Sequence, residues 1–222
     1  KPMTSRNFDA SLEWYFDRTG YIAVAGFYKR IKGFIQTAIS PRDITFPSGD
    51  TYTYQVTSYT NADTATVKGA ELSYQQFFDF LPGPLNGLGM QANFTYVDSE
   101  APSPAISGPA IQVPLEQLSK YSYNIVGIYE KGGFSLRTAY NWRSKFVETT
   151  SGVGTGNLPI FVRPFGQLDA SMTYAVTPQF TLGMDARNIT NARKDVYFGL
   201  STRPRTATIS DRRLSVTARL TY

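Results

Sequence analysis

The sequence predicts an all-β fold: antiparallel strands, each with one apolar and one polar face, forming part of a transmembrane β-barrel. Three observations predict it. The hydrophobic period along most of the chain is two, the period of a strand whose side chains point alternately to opposite faces. The strands approach the ~9–11 residues needed to cross a bilayer, and about nine of them are expected. Their connections alternate between short and long, as barrel turns and outer loops do.

The strands follow in order. Phe8, Ala10, Leu12, Trp14 and Phe16 alternate with Asn7, Asp9, Ser11 and Glu13. The stretch from Gly20 to Gln36 lacks a clean alternation, so its facing stays open. Met90, Ala92, Phe94 and Tyr96 alternate with Gln91, Asn93 and Thr95. Tyr121, Tyr123, Ile125 and Tyr129 mark another strand, but Val126 and Ile128 sit opposite and leave its orientation open. Phe134, Leu136, Tyr140 and Trp142 alternate with Ser135, Arg137, Asn141 and Arg143. Phe165 to Val176 and Phe180 to Arg187 form a hairpin about the turn Thr177-Pro178-Gln179. Short connections fall at 17–20, 81–87, 130–133 and 177–179. Long ones fall at 37–63, 99–113, 148–163 and 199–208, rich in Gly, Pro, Ser and Thr. The first long one holds an alternating run, Thr51 to Tyr59, that fits a strand extending beyond the membrane. No segment is expected to be a helix.

Composition narrows the chemistry. The 222 residues contain no Cys and no His. A disulfide framework, a cysteine nucleophile and a histidine-based hydrolase or metal site are therefore excluded for this chain. Charged residues make up 18%, below the roughly 25% of a soluble domain, and the net charge of +5 is scattered rather than clustered. Nucleic acid is accordingly not expected as a partner. No apolar run reaches the ~20 residues of a transmembrane helix, and no signal peptide follows Lys1.

The last segment, Arg213 to Tyr222, places Leu214, Val216, Ala218, Leu220 and Tyr222 on one face. Arg213, Ser215, Thr217, Arg219 and Thr221 fall on the other. A charge on the lipid face at mid-bilayer costs about 2–4 kcal/mol, so the arginines belong to the wet side or the rims. This alternation with a terminal aromatic resembles the signal that the barrel-assembly machinery recognises in outer-membrane proteins.

Further stretches resemble the TonB-dependent receptor family. Val67-Lys68-Gly69-Ala70-Glu71-Leu72 is similar to that family's Gly-x-Glu-Leu strand, and Ala25 to Ile35 to the strand before the preceding loop. Asp185-Ala186-Arg187-Asn188-Ile189-Thr190-Asn191, followed by Tyr197, resembles its penultimate strand, with Ile189 where Leu is usual. The resemblance implies a plugged barrel of about 22 strands, of which this chain would hold the C-terminal nine. Plug and N-terminal energy-coupling segment (the TonB box) are then absent from this chain. It also implies the outer membrane of a Gram-negative bacterium. Outer-membrane lipid, the barrel-assembly machinery, a small nutrient such as an oligosaccharide or siderophore, and TonB acting through the missing plug are the implied partners.

No catalytic constellation is present, and no enzyme activity or cofactor is expected. Asp9 and Glu13 share a face as any lumen-lining acids would. The glycine-rich 152–156 lacks the lysine and spacing of a phosphate loop. Binding is the better prospect, since aromatics stack on sugar rings and arginines hold carboxylates or phosphates. The candidates are Tyr52, Tyr54 and Tyr59 in the first long loop, Trp142, Arg143 and Lys145 with Phe146 at one strand's end, Arg163, and Arg203 and Arg205 in the last loop. Trp142 and Phe146 equally suit an interface belt. Two alternatives remain: a passive porin-like barrel, and a soluble β-sandwich that binds carbohydrate or acts as an adhesin. The sandwich requires the Leu214 to Leu220 stripe to pack against a second sheet.

Overall fold

The structure, a computed structural model, describes residues 1–102, 112–150 and 158–221, and only the backbone of residues 36–39. Tyr222, the expected end of the apolar stripe, lies outside the described residues.

The strands are β1 (Thr4–Tyr15), β2 (Tyr21–Lys32), β3 (Ile35–Thr45), β4 (Thr51–Asn61), β5 (Ala65–Phe77), β6 (Leu88–Pro102), β7 (Gln112–Val113) and β8 (Tyr121–Lys131). There follow β9 (Phe134–Arg143), β10 (Phe146–Thr149), β11 (Ile160–Val162), β12 (Phe165–Ala175), β13 (Phe180–Arg187), β14 (Arg193–Phe198), β15 (Pro204–Ile209) and β16 (Arg213–Leu220). One antiparallel sheet runs in the order β1-β2-β5-β6-β8-β9-β12-β13-β16, with β7 beside the far end of β6. Nine strands on this path match the number the sequence implied. Among the described residues β1 pairs only with β2 and β16 only with β13, so the sheet is a barrel wall open at both edges.

Register turns the period of two into a two-faced wall. Leu12 lies opposite Val24, Val24 opposite Leu72, Leu72 opposite Phe94, Phe94 opposite Tyr123 and Tyr123 opposite Trp142. A single apolar row thus crosses six strands. One residue along, Ser73, Asn93, Asn124, Asn141 and Gln167 form a polar row across five. A slip of one residue anywhere would break both rows, which is why the pairing is well specified.

The same registers settle the strand whose facing the sequence left open. Tyr121, Tyr123 and Ile125 lie opposite Tyr96, Phe94 and Ala92, so they share the apolar face. Val126 and Ile128 lie opposite Gln91 and Gly89 on the polar side, and are only 4% and 7% exposed. The apolar face is instead open: Leu214, Val216 and Leu220 are 68%, 74% and 58% exposed. Among the described residues no second sheet covers that stripe, contrary to what a sandwich requires.

Two glycines show local causes. Gly132 and Gly133, both at positive φ, make the two-residue turn between β8 and β9, the conformation that matches strand twist. Gly69 lies opposite Phe27, and a Cβ there would strike the Phe27 ring and the Tyr96 carbonyl. The family-like Gly-x-Glu-Leu stretch therefore has a packing reason for its glycine.

The described parts of the long connections are largely strand. Positions 37–61 fall within the β3–β4 hairpin, paired over eleven residues, as the Thr51 to Tyr59 run foreshadowed. The described ends of 99–113 pair as β6 and β7, while the connections at 148–163 and 199–208 feed a four-stranded sheet, β10-β11-β14-β15. Its strands continue β9, β12, β13 and β16 in the same lateral order. The short connection at 81–87 holds a single 3-10 turn, Gly83–Gly87, which the period-two pattern did not foresee.

One motif is corrected. Asp185 to Asn191 with Tyr197 is not one strand. β13 stops at Arg187, Asn188 and Asn191 take positive φ, and Tyr197 belongs to β14 in the other sheet. Asn188 causes the break. It is 3% exposed, its N–H donates to Asp169 Oδ1 (2.7 Å), its Oδ1 accepts from the Ala192 N–H (2.7 Å), and its Nδ2 donates to the Ser210 carbonyl. An asparagine tolerates this left-handed conformation because its side chain bonds locally.

Candidate functional site

The polar row ends beneath a recess. Asn93, Thr95 and Val97 of β6, Ser122 and Asn124 of β8, Asn141 and Arg143 of β9, and Phe165 and Gln167 of β12 line a cavity of about 570 Å³. The segment Gln117-Leu118-Ser119, leading into β8, forms its rim. Asn124 Nδ2 donates to Asn141 Oδ1, and Gln167 Nε2 donates to Asp169 Oδ1 (2.9 Å). The remaining amide groups face the cavity as neutral donors and acceptors. Such a wall suits hydroxyl, carbonyl and amide groups on a ligand. Sequence reasoning named Arg143 at this recess but missed its amides: each lies on a different strand, and only register aligns them.

Arg143 fixes the rim. Its Nε donates to Ser119 Oγ (2.8 Å), its Nη2 to the Gln117 carbonyl (2.8 Å), and its guanidinium lies 3.8 Å from the Phe146 ring centre. Ser119 Oγ in turn donates to the Ser144 carbonyl (2.9 Å). The neighbouring Gln117 backbone N–H donates to the Val147 carbonyl (2.7 Å), and Glu116 accepts from Thr150 N–H and both Thr149 and Thr150 hydroxyls. Glu116 went unnoticed in the sequence because its partners lie more than thirty residues away.

Trp142 points the other way. It stacks on Tyr123 on the apolar face, ring centres 5.1 Å apart and planes at 20°, where a belt aromatic would sit. Above the wall, Lys145 Nζ lies 5.4 Å from the Phe161 ring, Phe161 stacks on Tyr197 at 5.3 Å, and Arg163 lies 5.2 Å from the Tyr197 ring. Arg163 also donates to the Ser201 carbonyl (2.6 Å), which ties β11 to the β14–β15 turn. Two cations thus cap one aromatic pair. Arg203 and Arg205 are exposed, and among the described residues neither forms an ion pair.

The tyrosines of the first loop sit apart on the β3–β4 hairpin. Tyr52 and Tyr54 share a face with Phe46 near its tip, ring centres 6.0 and 6.4 Å from Phe46. Tyr59 lies on the opposite face and is exposed. The structure therefore groups Arg143, Lys145 and Arg163 around the mouth of the wall, and separates them from the three tyrosines.

A family model described as TonB dependent receptor-like, beta-barrel, matches residues 1–189. The chain belongs to the TonB-dependent receptor β-barrel family.

Solved receptors share the fold. The pyoverdine outer membrane receptor FpvA from Pseudomonas aeruginosa superposes with a TM-score of 0.66 at 15% identity, covering 100% of this chain and 30% of that one. The copper transporter OprC gives 0.64 at 18% identity, covering 100% and 32%. The FrpB iron transporter from Neisseria meningitidis gives 0.62 at 14%, covering 99% and 31%. This chain therefore spans about a third of the length of the receptors it resembles. No curated protein sequence matches it. In a TonB-dependent receptor barrel the two faces of the wall acquire solvents: the apolar row faces lipid, and the polar row faces the lumen. Family and fold are those of receptors and transporters.

Proposed function

We propose that this chain forms the C-terminal barrel wall and part of the extracellular vestibule of a TonB-energised outer-membrane importer for a small nutrient. The observation that carries the reading is the pair of rows: an apolar stripe across six strands, backed by an amide row that opens into a recess at the mouth. The plug and the TonB-contacting segment belong to the remainder of the receptor, and the barrel-assembly machinery inserts it through the apolar stripe of β16. The recess offers neutral hydrogen-bonding groups, which oligosaccharides and peptide-like siderophores both satisfy. Tyr52, Tyr54, Tyr59, Arg203 and Arg205 make first contact above it, while Arg143, Lys145 and Arg163 shape the mouth.

Uptake of radiolabelled oligosaccharides and ferric siderophores tests the proposal, in cells with the intact gene, without it, and without TonB. Uptake of one ligand that disappears in both deletions is the expected result. Uptake that persists without TonB, or steady ion conductance by the purified receptor in a planar bilayer, would instead mean a passive pore.

A further inference from the structure

We propose that Arg187 and Arg213 form an oxyanion clamp on the lumen wall at the extracellular end of β13 and β16. The two residues are direct cross-strand partners, the last of β13 facing the first of β16. Both fall on the polar face, in step with Asp185 and Ser215 one pair further from the mouth on that face. Directly opposed side chains in an antiparallel pair stand about 4.5–5.5 Å apart at Cβ, and like charges so placed repel. Both arginines line one cavity of about 430 Å³, together with Gln167, Asn188, Ile209, Ser210 and Asp211.

The neighbouring acids form no ion pair with them. Among the described residues no ion pair joins either arginine to a carboxylate. Asp169 is taken by Gln167 and by the Asn188 N–H. Asp185 lies one pair along β13, and Asp211 shares the cavity; neither bonds to a guanidinium. Asn188 holds the chain at this corner through Asp169 and Ser210, so the cavity floor is fixed. Two planar forks with five N–H donors each, on residues that line one cavity, match a carboxylate or phosphate group. Such a group removes the repulsion that the bare pair suffers.

The oxyanion has two possible sources, a free ligand or a carboxylate elsewhere in the receptor. The inference rests on the lumen position of these side chains and not on uptake. Direct binding measurements therefore separate its failure from that of the importer reading. The experiment uses the full-length receptor in detergent, as wild type, Arg187→Gln, Arg213→Gln and the double variant. Arg219→Gln, on the same face of β16 toward its far end, is the control. Heat-modifiable mobility confirms that each is folded. Citrate and inorganic phosphate are titrated calorimetrically, and thermal unfolding is followed without them.

With a free oxyanion, wild type and Arg219→Gln bind citrate or phosphate, and each single clamp variant binds about 10-fold more weakly. With a receptor-borne carboxylate, added anion does not bind, but each clamp variant unfolds at a lower temperature than the control. Absence of anion binding, combined with clamp variants as stable as wild type or more stable, would overturn the proposal, since that is the behaviour of two bare charges relieved of repulsion.

Discussion

The nine-stranded wall and the four-stranded sheet are continuous in chain but opposite in construction. The described wall encloses no large apolar core, and its Leu, Val, Phe and Tyr row stands open on one side. The four-stranded sheet holds the cluster of buried residues Phe146, Ile160, Val162 and Val196, with Phe165 and Phe198 packed against it. The difference teaches which solvent each part meets. Where lipid takes the place of a core, apolar side chains are stable facing out. Where water surrounds the sheet, the same residue types must cover one another.

Substitutions should separate the two regions. The largest effect is expected from Val162→Asp, since Val162 is fully buried and an unpaired buried charge costs about 3–5 kcal/mol. With the four-stranded sheet outside the cell, as proposed, it should become sensitive to protease added to intact cells, while the heat-modifiable band of the assembled barrel persists. Loss of that band would mean that the two regions fold as one unit.

Next comes a pair in mid-β16. Val216→Arg should destabilise the assembled receptor by about 2–4 kcal/mol in urea unfolding, whereas its neighbour Thr217→Arg should leave it nearly unchanged. Equal effects would erase the distinction between lipid and lumen faces. Asn188→Ala, at the corner joining the regions, should cost about 1–3 kcal/mol because it strands the Ser210 carbonyl and Ala192 N–H. Hydrogen exchange should rise at 188–192 rather than along β13. The smallest effect, about 0.5–1 kcal/mol, is expected for Arg163→Gln, which removes one cation from the Tyr197 ring and one bond to Ser201. Near-ultraviolet dichroism from the Phe161–Tyr197 stack should report it.

Legibility in the sequence followed the range of the interaction. The hairpin of β12 and β13 was readable to within a residue because alternation and a short turn are local. The Thr51 to Tyr59 strand was readable for the same reason. The strand around Ile125 was not, since two apolar faces look alike until a neighbour is paired to them. The motif at Asp185 to Asn191 was misread as one strand because nothing local announces that Asn188 will turn. Its φ is held by Asp169 and Ser210, nineteen and twenty-two residues away. Among the binding candidates, Trp142 and Arg143 are adjacent in sequence but occupy opposite faces, as alternation requires.

The sequence by itself determined that this protein is a wall of two-faced strands, because the pleat makes every second side chain share a face and most of the strands obey that period, β16 down to Leu220 included. Only the tertiary structure decided which residues meet across strands. The amide row of Asn93, Asn124, Asn141 and Gln167, the cations over Phe161 and Tyr197, and the facing of Arg187 and Arg213 all depend on register. Register is set by the simultaneous matching of apolar rows across many strands, a cooperative condition that no single segment contains.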